Sequence, residues 1–401
     1  MNRNTKSIPF SRPSMGRAEW KAARRVIKSG WLTTGPEALA FEKAFAGFLH
    51  DSDPPGKEKI KTLSVNSATA GLHLALEAVG IGSGDLVAVP SMTFTATAEI
   101  VRYLGGNPVF IDSDESTGNM NPDALEKAVI TADIAGKKIK AVIPVHLAGY
   151  PCDINAIRNA LGDTDAAIVE DAAHAFPSRT GEGMAGTLGD IGVFSFYATK
   201  TITSGEGGMV ATRNKKYSER MELMRLHGID RVVWNRYAAD SDVKSWEYDV
   251  TAPGFKYNMP DLSAAIGNVQ LKKADYLLEQ RQKLAERYSS ALGGISNLEL
   301  PRNTRGHAWH LYIIHTTGSE VRNHLAGKLD REGIGSSVHF IPLHRMTYWK
   351  TEYNLEASDF PVADNLFQRS LSLPLWPGLR WKEQKRIIGA IRETLGEKIH
   401  G

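Results

Sequence analysis

The sequence predicts an α/β protein: a large domain with a mostly parallel sheet between helices, followed by a smaller C-terminal α+β domain. The first observation behind this prediction is that strand-like and helical runs alternate from residue 62 to residue 212. The second is that this alternation stops near residue 260. The length is the third observation, because 401 residues exceed one ordinary core and suit two domains. We place the domains at 1–267 and 268–401.

The strands of the large domain each precede a helical run, and two further strand-like runs flank Lys200 within residues 192–212. Repeated strand–helix units of this length form parallel sheets, in which ligands bind at the carboxyl ends of the strands. The five strands expected before Lys200 are, in chain order, TLSV (62–65), LVAVP (86–90), PVFID (108–112), AVIPV (141–145) and AAIVE (166–170).

The C-terminal domain is predicted from a long helical stretch that runs from about residue 260 through Tyr288. A strand follows at WHLYII (309–314), and helices are expected near 319–331 and 381–396. These elements do not repeat the strand–helix alternation, so they indicate a separate domain.

The composition excludes several classes of function. The 48 basic and 45 acidic residues leave a net charge of +3, too balanced to indicate nucleic-acid or membrane-surface binding. The single cysteine, Cys152, excludes an internal disulfide and is expected to pack in the core. The N-terminus lacks the apolar segment of a signal peptide, and no run reaches the roughly 18 apolar residues of a membrane span. We expect a cytoplasmic protein whose partners are small molecules or another protein chain.

One glycine-rich segment imitates a nucleotide-binding motif. GIGSGD (80–85) has the glycine content of a dinucleotide-binding turn, but it follows a helix and precedes a strand, which is the reverse of the required order. We interpret it as a helix stop followed by a turn.

The segment NSATAG (66–71) follows the first predicted strand. The backbone N–H groups of Ala68 and Thr69 would therefore lie at a helix N-terminus, where anions bind. The alternative is an ordinary N-cap, for which Ser67 or Thr69 would serve.

Two other strand ends carry candidate side chains. EDAAHA places Asp171 and His174 after a buried strand, where a carboxylate needs a cation or several donors, and a protonated ring nitrogen would be such a cation. The alternative is a helix-capping Asp beside a satisfied histidine. Phe94, in PSMTF (90–94), is placed to lie flat on a ligand ring, although a core position is the alternative.

Lys200 lies among Ser, Thr and Gly residues between two apolar strands. A lysine in a partly dry site loses proton affinity and can form a Schiff base with an aldehyde, whereas the alternative is a solvated surface lysine. An anion site, a carboxylate, an aromatic ring and a lysine at one sheet edge are the four features that pyridoxal phosphate needs. Ser195 can add a hydroxyl to the phosphate site.

The chain resembles the DegT/StrS-type sugar aminotransferases, a branch of the fold-type I pyridoxal-phosphate enzymes, over nearly its whole length. The motifs that carry this resemblance are SGWLTTGP (29–36), NSATAGLH (66–73), VEDAAHA (169–175), FSFYATKTITSGEGG (194–208), GFKYNMPDLSAAIGNVQL (254–271) and IGSSVHFIPLH (334–344).

The resemblance implies a role for each candidate residue. Lys200 is the Schiff-base lysine, Asp171 pairs with the pyridine nitrogen, and Phe94 takes the ring-stacking position. The other cofactor residues implied are Ala68, Thr69 and Ser195 at the phosphate, and His174 near the phenolic oxygen of the ring.

The resemblance also implies a homodimer with active sites at the subunit interface. Asn258 then reaches the phosphate from the partner chain, Thr33 lines the substrate entrance, and His339 lies near the nucleotide or sugar.

The implied reaction moves an amino group from glutamate, which leaves as 2-oxoglutarate, to a nucleotide-linked keto-sugar of cell-surface glycan or lipopolysaccharide synthesis. GFKYNMPD resembles the branch that acts on 4-keto sugars. Within it the motifs are most similar to those of the UDP-4-amino-4-deoxy-L-arabinose aminotransferases, but Phe94 and Tyr197 depart from that type. A UDP-4-keto-pentose and a 4-keto-6-deoxyhexose therefore both stay open as substrates.

Two alternatives come from other functional classes. Some relatives dehydrate the sugar, typically with His in place of the Schiff-base lysine, which the intact Lys200 disfavours. A non-catalytic member would bind a sugar nucleotide or act in regulation, but the chain has no evident DNA-binding element.

Overall fold

The computed structural model describes residues 7–230, 248–304 and 306–396. Its α-helices are α1 (Arg17–Ser29), α2 (Pro36–His50), α3 (Ala68–Ala78), α4 (Ala96–Tyr103), α5 (Pro122–Ile134), α6 (Ile154–Leu161), α7 (Lys215–Met224), α8 (Asp261–Leu271), α9 (Ala274–Leu292), α10 (Ser319–Arg331), α11 (Thr347–Tyr353), α12 (Pro361–Arg369) and α13 (Trp381–Leu395). Its strands are β1 (Lys61–Val65), β2 (Leu86–Pro90), β3 (Asn107–Ile111), β4 (Ile139–Val142), β5 (Ala167–Asp171), β6 (Arg179–Thr180), β7 (Gly183–Met184), β8 (Ile191–Ser195), β9 (Gly208–Thr212), β10 (Leu298–Glu299), β11 (Tyr312–Thr316) and β12 (Ser370–Leu373).

Seven of the described strands form the central sheet, in the order β1-β9-β8-β5-β4-β2-β3. The strands from β8 to β3 run parallel, whereas β9 is antiparallel to both of its neighbours. The predicted α/β class with a mostly parallel sheet is therefore confirmed. Gly208, the first residue of β9, lies opposite Val65 of β1 and Ser195 of β8, so three strand ends meet in one row.

The helices that follow the parallel strands begin at the caps that their sequences provide. Ser67 accepts a hydrogen bond from the N–H of Ala70 at the start of α3, and Asp153 does the same for α6. Strands β5, β8 and β9 are buried at every position, as expected for a sheet covered on both faces. The sheet is thus a rigid platform for the loops at its edge.

A second sheet, β10-β11-β12, is antiparallel and packs with α10 and α13 around its own hydrophobic core. Helix α9 belongs to both cores, because Leu277 packs with the large domain and Tyr288 packs with the C-terminal one. No single residue in this helix divides the two cores, and the domain boundaries 1–267 and 268–401 stay a prediction.

Three elements differ from their predictions. The strand expected at 309–314 begins only at Tyr312, because Trp309 has a left-handed φ of 49° that turns it out of the extended conformation. The single helix expected through Tyr288 is two helices, interrupted at Lys272 and Lys273. The strand expected at 141–145 ends at Val142, and Val145 makes only an isolated bridge to Asp171.

Two other predictions, for GIGSGD and for Cys152, hold. GIGSGD is a helix stop and turn, in which Gly80 and Gly84 have φ values of 87° and 84° that favour glycine. Cys152 is buried and donates from its thiol to the carbonyl oxygen of Val145. In the described part of the chain, no helix combines the length and apolar character needed to cross a bilayer.

Candidate active site

A cavity of about 440 Å³ opens where strands β1, β5 and β8 end. This volume lies within the range of ordinary small-molecule sites. Two of the residues predicted from the sequence, Thr33 and Asn258, do not line it. The structure brings together the other eight in this cavity: Ala68, Thr69, Phe94, Asp171, His174, Ser195, Lys200 and His339.

Lys200 is carried by the loop between β8 and β9, which is held by its own hydrogen bonds. The backbone N–H of Lys200 donates to the carbonyl of Tyr197 at 2.9 Å, and the hydroxyl of Thr203 donates to the carbonyl of Phe196 at 2.9 Å. Loss of hydration lowers the pKa of Lys200 to about 8, against the opposing effect of Asp171. The backbone that carries the amine is therefore held in place, and the amine is easily deprotonated.

Asp171 is the last residue of β5 and is buried. Its Oδ2 accepts a hydrogen bond from the hydroxyl of Thr97 at 3.0 Å, and its Oδ1 accepts one from the N–H of Ala173 at 3.1 Å. Burial raises the pKa of Asp171, while these donors and Lys200 oppose the rise. A cation brought against this carboxylate would stabilise its charged form.

The first turn of α3 borders the cavity on another side. The hydroxyl and the carbonyl of Ser67 accept hydrogen bonds from the N–H groups of Ala70 and Gly71, respectively. The N–H groups of Ala68 and Thr69 have no hydrogen-bond acceptor among the described residues. A Cβ on Gly208 would lie 2.8 Å from the backbone nitrogen of Ala68, so only glycine allows β9 to approach this closely. Free N–H groups at a helix N-terminus form an anion site.

His174 is surrounded by aromatic rings. It stacks on Phe340 at 5.5 Å between ring centroids, and His310 lies 4.3 Å away on the same measure. Burial lowers the pKa of His174 well below its usual value, and the positive charge of Lys200 adds to this effect. The ring is therefore neutral at physiological pH, and its Nδ1 is buried without a partner in the described residues.

Phe94 and His339 also line the cavity. Phe94 is 58% exposed, with its ring centroid 6.1 Å from that of Phe340. His339 stacks on Phe10 at 5.4 Å, and its Nδ1 shares a hydrogen bond of 2.9 Å with the hydroxyl of Ser372. Burial, with a smaller contribution from Lys200, lowers the pKa of His339 to about 4.

Thr33 and Asn258 line a separate cavity, together with Lys256. The side-chain amide of Asn258 donates to the hydroxyl of Thr34 at 2.5 Å, and its oxygen accepts a hydrogen bond from Lys256. Within one chain, these residues therefore do not reach the cavity that contains Lys200.

Three residues of the site were not anticipated from the sequence. Thr97 holds Asp171, while His310 and Phe340 line the cavity against His174. Thr97 belongs to no motif. His310 is the second histidine of HAWHLYII, a segment whose pattern predicts only a strand.

The cavity fits pyridoxal phosphate on each side. The free N–H groups at the start of α3 match a phosphate, the buried carboxylate of Asp171 matches a protonated ring nitrogen, and Lys200 presents an amine for the aldehyde. By contrast, the described residues contain no group of His, Cys, Asp and Glu side chains arranged to hold a metal ion.

Comparison with known proteins agrees with this geometry. Residues 13–392 match the DegT/DnrJ/EryC1/StrS aminotransferase family. The spore coat polysaccharide biosynthesis protein SpsC of Bacillus subtilis (strain 168) is 39% identical over 394 residues, which cover 97% of each chain.

Solved structures show the same fold. The PMP-form, with pyridoxamine phosphate, of Spr1654 from Streptococcus pneumoniae has a TM-score of 0.86 at 31% identity, covering 97% of this chain and 99% of that one. A PLP-form of the same protein, with pyridoxal phosphate, is also similar. PseC of Helicobacter pylori, an aminotransferase involved in the biosynthesis of pseudoaminic acid, has a TM-score of 0.86 at 25% identity, covering 98% of this chain and 100% of that one. The chain belongs to the DegT/DnrJ/EryC1/StrS aminotransferase family and is a pyridoxal-phosphate-dependent aminotransferase.

Proposed function

We propose that this aminotransferase moves an amino group from glutamate to the carbonyl carbon of a nucleotide-linked 4-keto sugar, for the synthesis of a cell-surface glycan or lipopolysaccharide. The observation that carries the proposal is the convergence of Lys200, Asp171 and the N-terminus of α3 on one cavity. The sugar is supported by two relatives, since SpsC takes its name from a spore coat polysaccharide and PseC from pseudoaminic acid.

The proposed roles follow from the contacts of each side chain. When bound, pyridoxal phosphate supplies an aldehyde that accepts nitrogen and a ring that stabilises negative charge on an adjacent carbon. We assign covalent attachment and proton transfer to Nζ of Lys200, because its pKa is lowered to about 8. Asp171 would hold the ring nitrogen and Phe94 would cover the ring face.

The remaining cofactor residues are assigned by their position on the cavity wall. Ala68, Thr69 and Ser195 would bind the phosphate through N–H and hydroxyl groups, and His174 would lie near the phenolic oxygen. His339 would contact the sugar or nucleotide, since it lines the cavity with its ring centroid 5.3 Å from that of Phe340.

We also propose a homodimer in which Asn258 reaches the phosphate at the partner's site and Thr33 lines the substrate entrance there. The support is that both residues lie outside the cavity of their own chain but face a common cavity beside Lys256. The near-balanced charge gives no reason to add a nucleic-acid partner. The cytoplasmic location stays a prediction.

The motif GFKYNMPD, which contains Lys256 and Asn258, supports a 4-keto substrate by its resemblance to that branch of the family. Two candidates follow, a UDP-4-keto-pentose and a nucleotide-linked 4-keto-6-deoxyhexose. No contact within the described residues distinguishes them.

The test is the visible absorption spectrum of the purified protein and of Lys200→Ala. Wild-type protein should be yellow with bound cofactor, lose the colour on addition of glutamate, and regain it with one of the two nucleotide 4-keto-sugars. Lys200→Ala should bind the cofactor without a covalent bond and show no turnover.

A negative result at each step of this test contradicts a different part of the proposal. A colour that glutamate does not change would remove glutamate as the donor, and a bleached protein that neither sugar recolours would remove the proposed acceptors. A sugar product without nitrogen would favour the dehydratase alternative. An active Lys200→Ala would contradict the role of the lysine.

A further inference from the structure

The segment 307–311 connects the C-terminal domain to the wall of the cavity in an unusual backbone conformation. Trp309 has a φ of 49°, and Ala148, whose carbonyl accepts hydrogen bonds from the next two residues of the segment, has a φ of 57°. Non-glycine residues with such values are strained, and strain of this kind is concentrated at functional sites.

The contacts of the segment point to His310. The N–H groups of His310 and Leu311 donate to the carbonyl of Ala148 at 3.0 and 3.2 Å, and that of Ala308 donates to the carbonyl of Gly149 at 2.9 Å. These bonds dock the segment on the large domain. The side chain of His310 then lines the cavity that contains Lys200.

Arg281 fixes the same segment from the other side. It is 2% exposed, and its Nη1 donates to the carbonyls of Trp309, His310 and Leu375 at 3.2, 3.2 and 2.9 Å. Burial lowers the pKa of Arg281 to about 10. Burying a guanidinium costs the free energy of its hydration, which its hydrogen bonds to carbonyl groups only partly recover. This cost indicates that the position of the loop matters.

The ring of His310 can form a hydrogen bond that no described residue of the protein satisfies. The residue is 6% exposed, and its Nδ1 is buried without a partner among the described residues. Burial lowers the pKa of His310 well below its usual value, and the positive charge of Lys200 adds to this effect. A neutral imidazole donates and accepts one hydrogen bond each and carries no charge.

This chemistry suits one substrate of the reaction more than the other. Glutamate carries two carboxylates, which call for cationic partners, whereas a sugar presents neutral hydroxyl groups. Among the described residues that line the cavity, Lys200 is the only lysine or arginine, so a neutral histidine there adds recognition of hydroxyls rather than of charge.

We propose that His310 is a substrate-contacting residue that hydrogen-bonds a hydroxyl group of the keto-sugar, and that Arg281 is the positioning residue that holds it. The inference rests on the proposed function and deepens it. It assigns His310 to the acceptor half of the reaction, in which nitrogen passes to the sugar, and not to the donor half.

The test measures the two half-reactions separately by absorbance, using cofactor-loaded His310→Phe. The acceptor half-reaction with the nucleotide 4-keto-sugar should need about tenfold more sugar, the loss expected for one neutral hydrogen bond, while the glutamate half-reaction stays within about twofold. His310→Gln keeps a hydrogen-bonding group and should recover part of the loss.

The matched control is His315→Phe. His315 is a half-buried histidine of strand β11 and lines a different cavity. Its Nδ1 shares a hydrogen bond of 3.1 Å with the hydroxyl of Ser370. This variant should leave both half-reactions unchanged. A calorimetric titration with the unreactive 4-hydroxy analogues UDP-xylose and dTDP-6-deoxyglucose gives a readout without turnover, in which His310→Phe should bind about tenfold more weakly.

Arg281→Lys tests the positioning role. It should weaken the acceptor half-reaction in the same direction as His310→Phe, and the double variant should be no worse than His310→Phe alone, because Arg281 acts through His310. Additive losses would overturn the positioning role. Thermal unfolding identifies any variant that fails to fold.

The outcomes separate this inference from the proposed function. If wild-type protein reacts with a nucleotide keto-sugar and His310→Phe reacts equally well, or if both half-reactions slow equally, the inference about His310 is wrong and the function stands. If wild-type protein neither reacts with nor binds the sugar nucleotides, the proposed function is wrong and this inference falls with it.

Discussion

The hydroxyl of Thr97 donates a hydrogen bond of 3.0 Å to Oδ2 of Asp171. The same hydroxyl meets that of Thr93 at 2.8 Å, and since its proton is directed to Asp171, Thr93 must be the donor there. The carboxylate at the end of β5 is thus the last acceptor of a short chain of hydroxyl groups that begins on the loop after β2.

Thr97→Val keeps the shape of this side chain and removes the donor. Oδ2 of Asp171 then loses a partner in a buried position, so the charged carboxylate should be disfavoured and cofactor affinity should fall about tenfold. Equilibrium titration of cofactor-free protein with pyridoxal phosphate measures this. Thr95→Val is the control, because that hydroxyl donates to Glu99 and does not touch Asp171. Equal affinities in wild type and Thr97→Val would refute the role.

The amine of Lys200 should titrate far below an ordinary lysine. Its pKa of about 8 means that, in cofactor-free protein, reaction with acetic anhydride should rise with a midpoint near pH 8. Mass spectrometry of the Lys200 peptide follows the modification. Asp171→Asn removes the charge that opposes the shift, so the midpoint should move to lower pH. A midpoint near 10.4, as for a solvated lysine, would contradict the buried amine.

The same shift has a consequence for stability. Because the folded-state pKa lies below the ordinary value of 10.5, the unfolded chain holds this proton over a range where the folded chain has released it. The contribution of Lys200 to the free energy of unfolding should therefore rise between about pH 8 and pH 10.5. Chemical denaturation of cofactor-free wild type and Lys200→Met across this range should show the free energy of unfolding of wild type rising relative to that of the variant.

Gly208→Ala tests the close approach of β9 to helix α3. The added Cβ would lie 2.8 Å from backbone atoms of Ser67 and Ala68, which cannot rotate away. The first turn of α3 must then move, and affinity for pyridoxal phosphate should fall by at least about tenfold. Gly47→Ala, at a position with no neighbour within 4 Å, is the control. If Gly208→Ala lowers the thermal midpoint but leaves the affinity for pyridoxal phosphate unchanged, the first turn of α3 does not bind the phosphate.

Shared active sites can be tested by complementation. Lys200→Ala lacks the lysine of its own cavity, whereas Asn258→Asp would place a negative charge at the partner's phosphate. Each alone should be nearly inactive, but co-expression should restore about a quarter of wild-type activity, because half of the dimers contain one intact site of two. Lys200→Ala with Ser195→Asp is the control, since both changes lie in the same cavity and no intact site results. Absence of restored activity in the first pair would argue against Asn258 acting across the interface.

The sequence was sufficient to predict the fold and the edge at which the site lies. Alternating runs predict the parallel strands, and parallel strands bring their carboxyl ends together, so the sequence alone predicts that Asp171 and Lys200 lie near one another. Of the two cap candidates that the sequence offers for α3, Ser67 and Thr69, the structure uses Ser67.

His310 was missed because the feature that places it is not local. WHLYII has the composition of a strand, yet Trp309 leaves the extended conformation where its segment docks on Ala148 and Arg281. Those contacts join residues far apart in the chain, and no periodicity reports them. The same is true of Gly208, whose missing Cβ matters only because Ala68 lies opposite.

The antiparallel strand β9 also determines when this protein becomes an enzyme during its synthesis. Strand β1 leaves the ribosome early, but it can join the sheet only through β9, which lies between it and β8. A nascent chain that ends before Gly208 already contains helix α3, Asp171 and Lys200, yet lacks the strand whose first residue lies against the first turn of this helix. Pairing between segments so distant is slow to form and is completed late. Cofactor capture therefore belongs to the second half of translation, and chains truncated before Gly208 should emerge colourless.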